Sequence, residues 1–133
     1  MTTTQSTNIA IAQSVYAAFA RGDIPTVLAV MEPDATWVGA AGGPYGGTFV
    51  GPQAVVEGVF ARLGAEWRSF AVTPQEYLES GDTVLVLGWY DAVHGTTGKT
   101  MRSRFVHVIR VSDGRMAAFE QVADTRLFWD AMT

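Results

Sequence analysis

The hydrophobic period of this chain changes once, at Gly64. Before it, apolar residues recur at helical spacing; after it, they alternate with a period of two. Such a chain must place a block of helices against a separate sheet, because the apolar stripes of the helices have no other surface to cover. In the first block Ile9, Ile11, Ala12, Val15, Tyr16 and Phe19 fall on one broad helical stripe, with Ser6 or Thr7 as the cap. Gly22 ends that helix, Asp23 caps a short second one over about 24–31, and Pro25 lies in its first turn. Thr36-Trp37-Val38 reads as a short strand. The stretch from Gly39 to Gly51 carries six glycines and reads as a loop, a flexible lip over any pocket below it. Pro52 opens a third helix with Val55, Val56, Val59, Phe60 and Leu63 on its apolar side.

Beyond Gly64 the expected strands are about 68–78, 83–93, 101–111 and 116–122, separated by Gly81-Asp82, His94–Lys99 and Asp113-Gly114. A short helix over 125–132, capped by Asp124 or Thr125, ends the pattern. The fold class is therefore α+β: three N-terminal helices packed on a strongly bent antiparallel sheet, in one domain over 1–133 behind a polar lead at 1–7.

Composition narrows the function classes. The 133 residues include no cysteine, which excludes disulfides, thiolate metal sites and cysteine nucleophiles. The net charge of −4 gives no basic face for nucleic acid. No run of about 18 apolar residues suggests a membrane span, and the polar N-terminus does not read as a signal peptide. A cytoplasmic protein is expected. Gly98-Lys99-Thr100 does not make a phosphate loop, because Val93 stands where the first glycine is required and no helix follows.

Four segments carry a family resemblance: YAAFARGD at 16–23, MEPDATW at 31–37, GGTFVGPQAV at 46–55 and FVHVIRVSDGRM at 105–116. In their order and spacing the chain resembles the SnoaL-like and ketosteroid isomerase-like branch of the nuclear transport factor 2 superfamily, over about residues 8–128. The resemblance implies a cone-shaped α+β barrel with a deep apolar pocket, commonly dimeric. It leaves function open, because the fold hosts isomerases, cyclases, hydrolases, dehydratases and binders. It also implies departures. The ketosteroid isomerase base, an aspartate, falls on Gly39. The oxyanion tyrosine falls on Val15, with Tyr16 beside it, and the second oxyanion acid on His107. The catalytic aspartate of SnoaL-like cyclases falls on Gln121, which exchanges hydrogen bonds but cannot carry a proton to carbon. The arginine-flanked aspartate pair of limonene epoxide hydrolases is not reproduced.

His107 shares a strand face with Ser103, Phe105 and Ile109, opposite the face of Arg102, Arg104 and Arg110, so it points toward the helices. There it is either a satisfied core histidine or a proton-transfer or oxyanion group in a pocket. Its cross-strand partner depends on the turn. A two-residue Asp113-Gly114 hairpin sets Glu120 opposite it; a turn with a bulge at Gly114 sets Phe119 and Gln121 on its side. The bulged turn is expected, since it keeps an unpaired carboxylate out of the core.

Asp124 is either a helix cap or a group at the pocket mouth. Gln121 is the candidate for holding a carbonyl oxygen, with Tyr16 as a further one. Trp37, Phe49, Phe60, Trp89, Phe105 and Phe119 are the candidate ligand contacts, with either Trp89 or Tyr90 facing inward. His94 lies in a turn and is expected to be solvated, so no two-histidine metal site is expected. The expected protein binds a flat, apolar, carbonyl-bearing ligand without metal or cofactor. It is an isomerase, cyclase or dehydratase using His107, or else a non-catalytic binding module with the same pocket. A purely structural dimerisation domain is a third reading. A homodimer through the outer sheet face is expected, with Val106 and Val108 in the seam.

Overall fold

The computed structural model describes residues 7–133. Helix α1 (Thr7–Ala20) buries Ala12, Val15 and Tyr16 from the expected stripe, together with Ala18, which lies outside it. Of its two candidate caps, Ser6 lies outside the described residues and Thr7 is the first helical residue. Helix α2 (Ile24–Val30) is capped as expected: the Asp23 carboxylate accepts from the Thr26 amide at 3.2 Å and from its hydroxyl at 2.6 Å.

Strand β1 (Met31–Gly39) is three times the expected length, and β2 (Gly47–Val50) comes from the stretch read as loop. Four antiparallel pairs, from Thr36 with Val50 to Gly39 with Gly47, make these residues the two arms of a hairpin. The third helical run begins at Pro52, as α3 (Pro52–Val55), passes through a π turn (Val56–Phe60) and continues as α4 (Ala61–Glu66). Gly58 lies at the centre of the π turn. A Cβ there would stand 2.2 Å from the Phe49 ring, so helix and hairpin meet at a site only glycine fits.

Strands β3 (Trp67–Ser80), β4 (Thr83–His94), β5 (Thr100–Ser112) and β6 (Arg115–Ala123) form the meander, followed by α5 (Thr125–Met132). The sheet order is β2-β1-β6-β5-β4-β3. It corrects the expectation of an all-antiparallel sheet, because β1 runs parallel to β6 and the six strands do not close. The ladder between these two strands jumps from Met31↔Met116 to Thr36↔Ala118. Pro33, which has no amide hydrogen to donate, lies within the jump. The long strands β4 and β5 bury alternate residues, from Val84 to Ala92 and from Met101 to Val111, and this inner face meets the helices.

Candidate functional site

The face on which His107 looks inward depends on the β5–β6 hairpin. Asp113 (φ 50°) and Gly114 (φ 75°) both take left-handed conformations, and Ser112 pairs with Arg115. This is a two-residue turn of the primed type, not the expected bulged turn. Left alone, its register would bring Glu120 opposite His107. The shift occurs further along: Val111 pairs with Met116 but Arg110 with Ala118, so Ala117 is an extra residue. Beyond it His107 pairs with Gln121, and Glu120 pairs with Val108 and is exposed. The expected partnership stands, through a bulge three residues from where it was expected.

His107 and Gln121 both line a cavity of about 70 Å³ beneath the helices. Its walls include Val15 and Phe19 from α1, Val27 from α2, Val59, Phe60 and Leu63 from the third helical run, Trp37, Phe119 and Tyr90 from the sheet, and Phe128 from α5. Trp37 stacks on Phe119 at 3.7 Å between centroids and meets Phe60 edge-on at 5.3 Å. No aspartate, glutamate, lysine or arginine is among the described lining residues. An ionised ligand would find no opposite charge there.

The polar groups of the cavity are wired together. The backbone amide of Ala40 donates to Gln121 Oε1 (3.1 Å), which turns the carboxamide nitrogen toward Tyr90. Gln121 Nε2 donates to the Tyr90 hydroxyl (2.8 Å). That hydroxyl lies 2.5 Å from His107 Nε2, and the Tyr16 hydroxyl lies 2.7 Å from His107 Nδ1. The imidazole is clamped by Phe105, stacked on it at 4.0 Å and 12°. Burial removes water from all three rings. It pulls His107 down to about 3 and pushes the Tyr16 and Tyr90 hydroxyls up from their ordinary values. At neutral pH the imidazole is therefore uncharged and carries one ring proton. One tyrosine accepts that proton's hydrogen bond and the other donates to the bare nitrogen. Both ring nitrogens face tyrosine hydroxyls, and of these two tyrosines it is Tyr90 that lines the cavity.

Other residues fall as follows. Trp37, Phe60 and Phe119 line the cavity, while Phe105 lies behind His107 and Phe49 packs on Gly58. Trp89 is on the outer face, with Arg102 and Arg104 over its ring at 4.6 and 5.1 Å. It is Tyr90 that faces in, because Val86 pairs with His107 and strand alternation carries that face to position 90. Asp124 caps α5, accepting from the Arg126 amide at 3.1 Å, and is exposed rather than beside His107. His94 is buried, not solvated: it meets Trp67 edge-on, and its Nδ1 accepts from the amides of Thr96 and Thr97. No three His, Cys, Asp or Glu side chains converge as metal ligands among the described residues.

The expected lip is pinned. Tyr45 is buried, donates to Glu66 Oε1 (2.6 Å) and accepts from Trp67 Nε1 (2.8 Å); Arg62 donates to the Pro44 carbonyl, and Trp129 Nε1 to that of Gly42. Tyr45, Phe70 and Phe128 were not among the expected contacts. Alternation in β3 and the helical spacing of Leu127, Phe128 and Ala131 are the signals that point to the last two.

The SnoaL-like domain model matches residues 12–119, most of the chain. The protein belongs to the SnoaL-like family. Among solved structures it is similar to an NTF2-like protein from Burkholderia thailandensis, 36% identical, covering 97% of this chain and 99% of that one with a TM-score of 0.92. It is similar to TerC, co-crystallised with polyporic acid, at 31% identity over 96% of this chain and 98% of that one, TM-score 0.87. A protein with a ketosteroid isomerase-like fold from Catenulispora acidiphila, 16% identical over 92% and 91% of the two chains with a TM-score of 0.80, shares the fold. A search of curated proteins finds no match. Among the described residues, no helix of this SnoaL-like chain is long and apolar enough to cross a membrane.

Proposed function

We propose that this SnoaL-like protein binds a small, neutral, apolar carbonyl compound and polarises its oxygen through the Tyr90 hydroxyl. The observation that carries this reading is the uncharged chain Gln121–Tyr90–His107–Tyr16 opening onto an aromatic cavity with no ionised side chain. With Gln121 and His107 both donating to its oxygen, Tyr90 turns its own proton to the ligand as a strengthened donor. That TerC was co-crystallised with polyporic acid supports a small-molecule ligand for this cavity. Carbonyl polarisation is the step that isomerases, cyclases and dehydratases share.

Acetophenone and benzoate, equal in heavy atoms, test the reading by calorimetry; both exceed the cavity of about 70 Å³, since benzene occupies one of about 150 Å³, so either must part the aromatic wall to enter. Burying an unpaired carboxylate costs several kcal/mol, so acetophenone is expected to bind at least about 100-fold more tightly. Tyr90→Phe should weaken acetophenone about 3- to 10-fold, the worth of one hydrogen bond, and leave the hydrocarbon indene unchanged. Equal affinity for benzoate would refute the proposal.

A second reading, a binding module without turnover, is favoured by the absence of a carboxylate base from the described lining and by the low basicity of His107. Deuterium exchange at the acetophenone methyl group, measured by NMR, separates the two. Acceleration over Tyr90→Phe supports catalysis, and equal rates support the binder.

The outer sheet face carries Val106 and Val108 half-buried and Val122 half-exposed beside them, which supports a homodimer across this face. Light scattering should give the mass of two chains; the mass of one chain contradicts the dimer.

A further inference from the structure

We infer that Tyr16, His107 and Tyr90 form a reversible hydrogen-bond relay, so that one cavity takes either an accepting ligand, such as a ketone, or a donating one, such as an indole, with the His107 tautomer following the ligand. The inference rests on the reading of the cavity as a site for small neutral compounds.

The argument is a count of protons. Gln121 is fixed by Ala40 and always donates to Tyr90. The neutral imidazole has one proton for two nitrogens, and each nitrogen faces a tyrosine. Two arrangements satisfy these contacts. In the first, Tyr90 donates to Nε2 and Nδ1–H donates to Tyr16. Tyr90 then shows the cavity a lone pair, suited to a donor. In the second, Tyr16 donates to Nδ1 and Nε2–H donates to Tyr90. Tyr90 then points its own proton into the cavity, suited to a carbonyl.

The ring itself does not have to turn. Phe105 stacks on one face, Phe119 lies 4.6 Å away, and the Tyr16 ring lies parallel to the imidazole within 3° at 5.8 Å between centroids. Each tyrosine keeps its single proton and rotates its O–H, while the imidazole releases the proton on one nitrogen to water entering the cavity and takes one from water on the other, so both arrangements carry the same charge. Tyr16 is outside the cavity wall, so it acts through His107 as a positioning residue: it accepts from Nδ1–H in the first arrangement and donates to the bare Nδ1 in the second.

The test is the ¹⁵N spectrum of histidine-labelled protein, which distinguishes a protonated ring nitrogen from a bare one. His94 is the internal reference, because its Nδ1 already accepts from two backbone amides. Saturating acetophenone should place the His107 proton on Nε2; saturating indole, of equal heavy-atom count, should place it on Nδ1. Two ligand-free variants test the relay without any ligand. A buried N–H without a partner is worse than a bare lone pair, so the proton should face the remaining tyrosine. Tyr16→Phe is then expected to hold it on Nε2 and Tyr90→Phe on Nδ1. The same tautomer in both variants overturns the relay. Opposite tautomers in the variants with one tautomer in both complexes overturns the ligand coupling. If neither compound binds, the cavity reading fails, and the two variants still decide the relay.

Discussion

Lowering the pH from about 6.5 to about 3 is expected to remove roughly 4–5 kcal/mol of folding free energy through His107 alone. The folded imidazole is held down to about 3 by burial, whereas in the unfolded chain it titrates near 6.5. Between these values the unfolded state binds the extra proton, so stability rises with pH across that window and is unaffected by this group above it. The slope approaches about 1.4 kcal/mol per pH unit. Against a total stability of about 5–15 kcal/mol for a domain, that is from about a third to nearly all of it. Urea unfolding of the native protein and of His107→Gln at a series of pH values isolates the effect, since the carboxylates contribute equally to both. The difference between the two curves should change along the window. Parallel curves would mean that the imidazole is hydrated or charged in the folded protein.

Gly39→Ala is expected to destabilise the protein by about 3 kcal/mol or more. A Cβ at this position would stand 1.9 Å from the Tyr45 carbonyl oxygen and 2.8 Å from its carbon, both backbone atoms that cannot move aside as a rotamer would. The turn that brings Tyr45 there is held by the bonds of Tyr45 to Glu66 and Trp67 and of Pro44 to Arg62. Gly64→Ala is the matching control. Nothing lies within 4 Å of its Cβ, it is helical, and alanine should stabilise by about 0.5–1 kcal/mol. Thermal unfolding of the two variants should shift in opposite directions; a Gly39→Ala protein as stable as the native one would show that the loop is free to yield. The site has a chemical meaning as well. Position 39 is where the resemblance places the aspartate base of ketosteroid isomerases, and here the backbone of Tyr45 fills the space a side chain would need.

The helices, the meander and the inward turn of His107 were legible because each rests on local periodicity. Val84, Val86, Tyr90, Phe105 and Ile109 report their face at every second residue. What periodicity does not carry is parity across an interruption. The Ala117 bulge has no glycine or proline to mark it, yet it decides whether Gln121 or Glu120 stands beside His107. The choice between Trp89 and Tyr90 was open for the same reason, because either ring suits a strand and only the β4–β5 register selects one. The loop at 40–46 reads as a flexible lip in the sequence because glycine content reports backbone freedom and not tethering. Its tethers are single side chains, Arg62, Glu66 and Trp129, from helices distant in sequence. The direction of β1 beside β6 joins residues some eighty positions apart, beyond any local pattern.

The central claim is that Tyr90 presents an oriented donor to a ligand oxygen in an uncharged cavity. A crystal structure of the protein grown with acetophenone examines it at the atoms concerned. The carbonyl oxygen is predicted to lie about 2.6–3.0 Å from the Tyr90 hydroxyl, with the ring against Trp37 and Phe119. Acetophenone seated with its oxygen turned away from Tyr90, or bound only outside the cavity, would contradict the account.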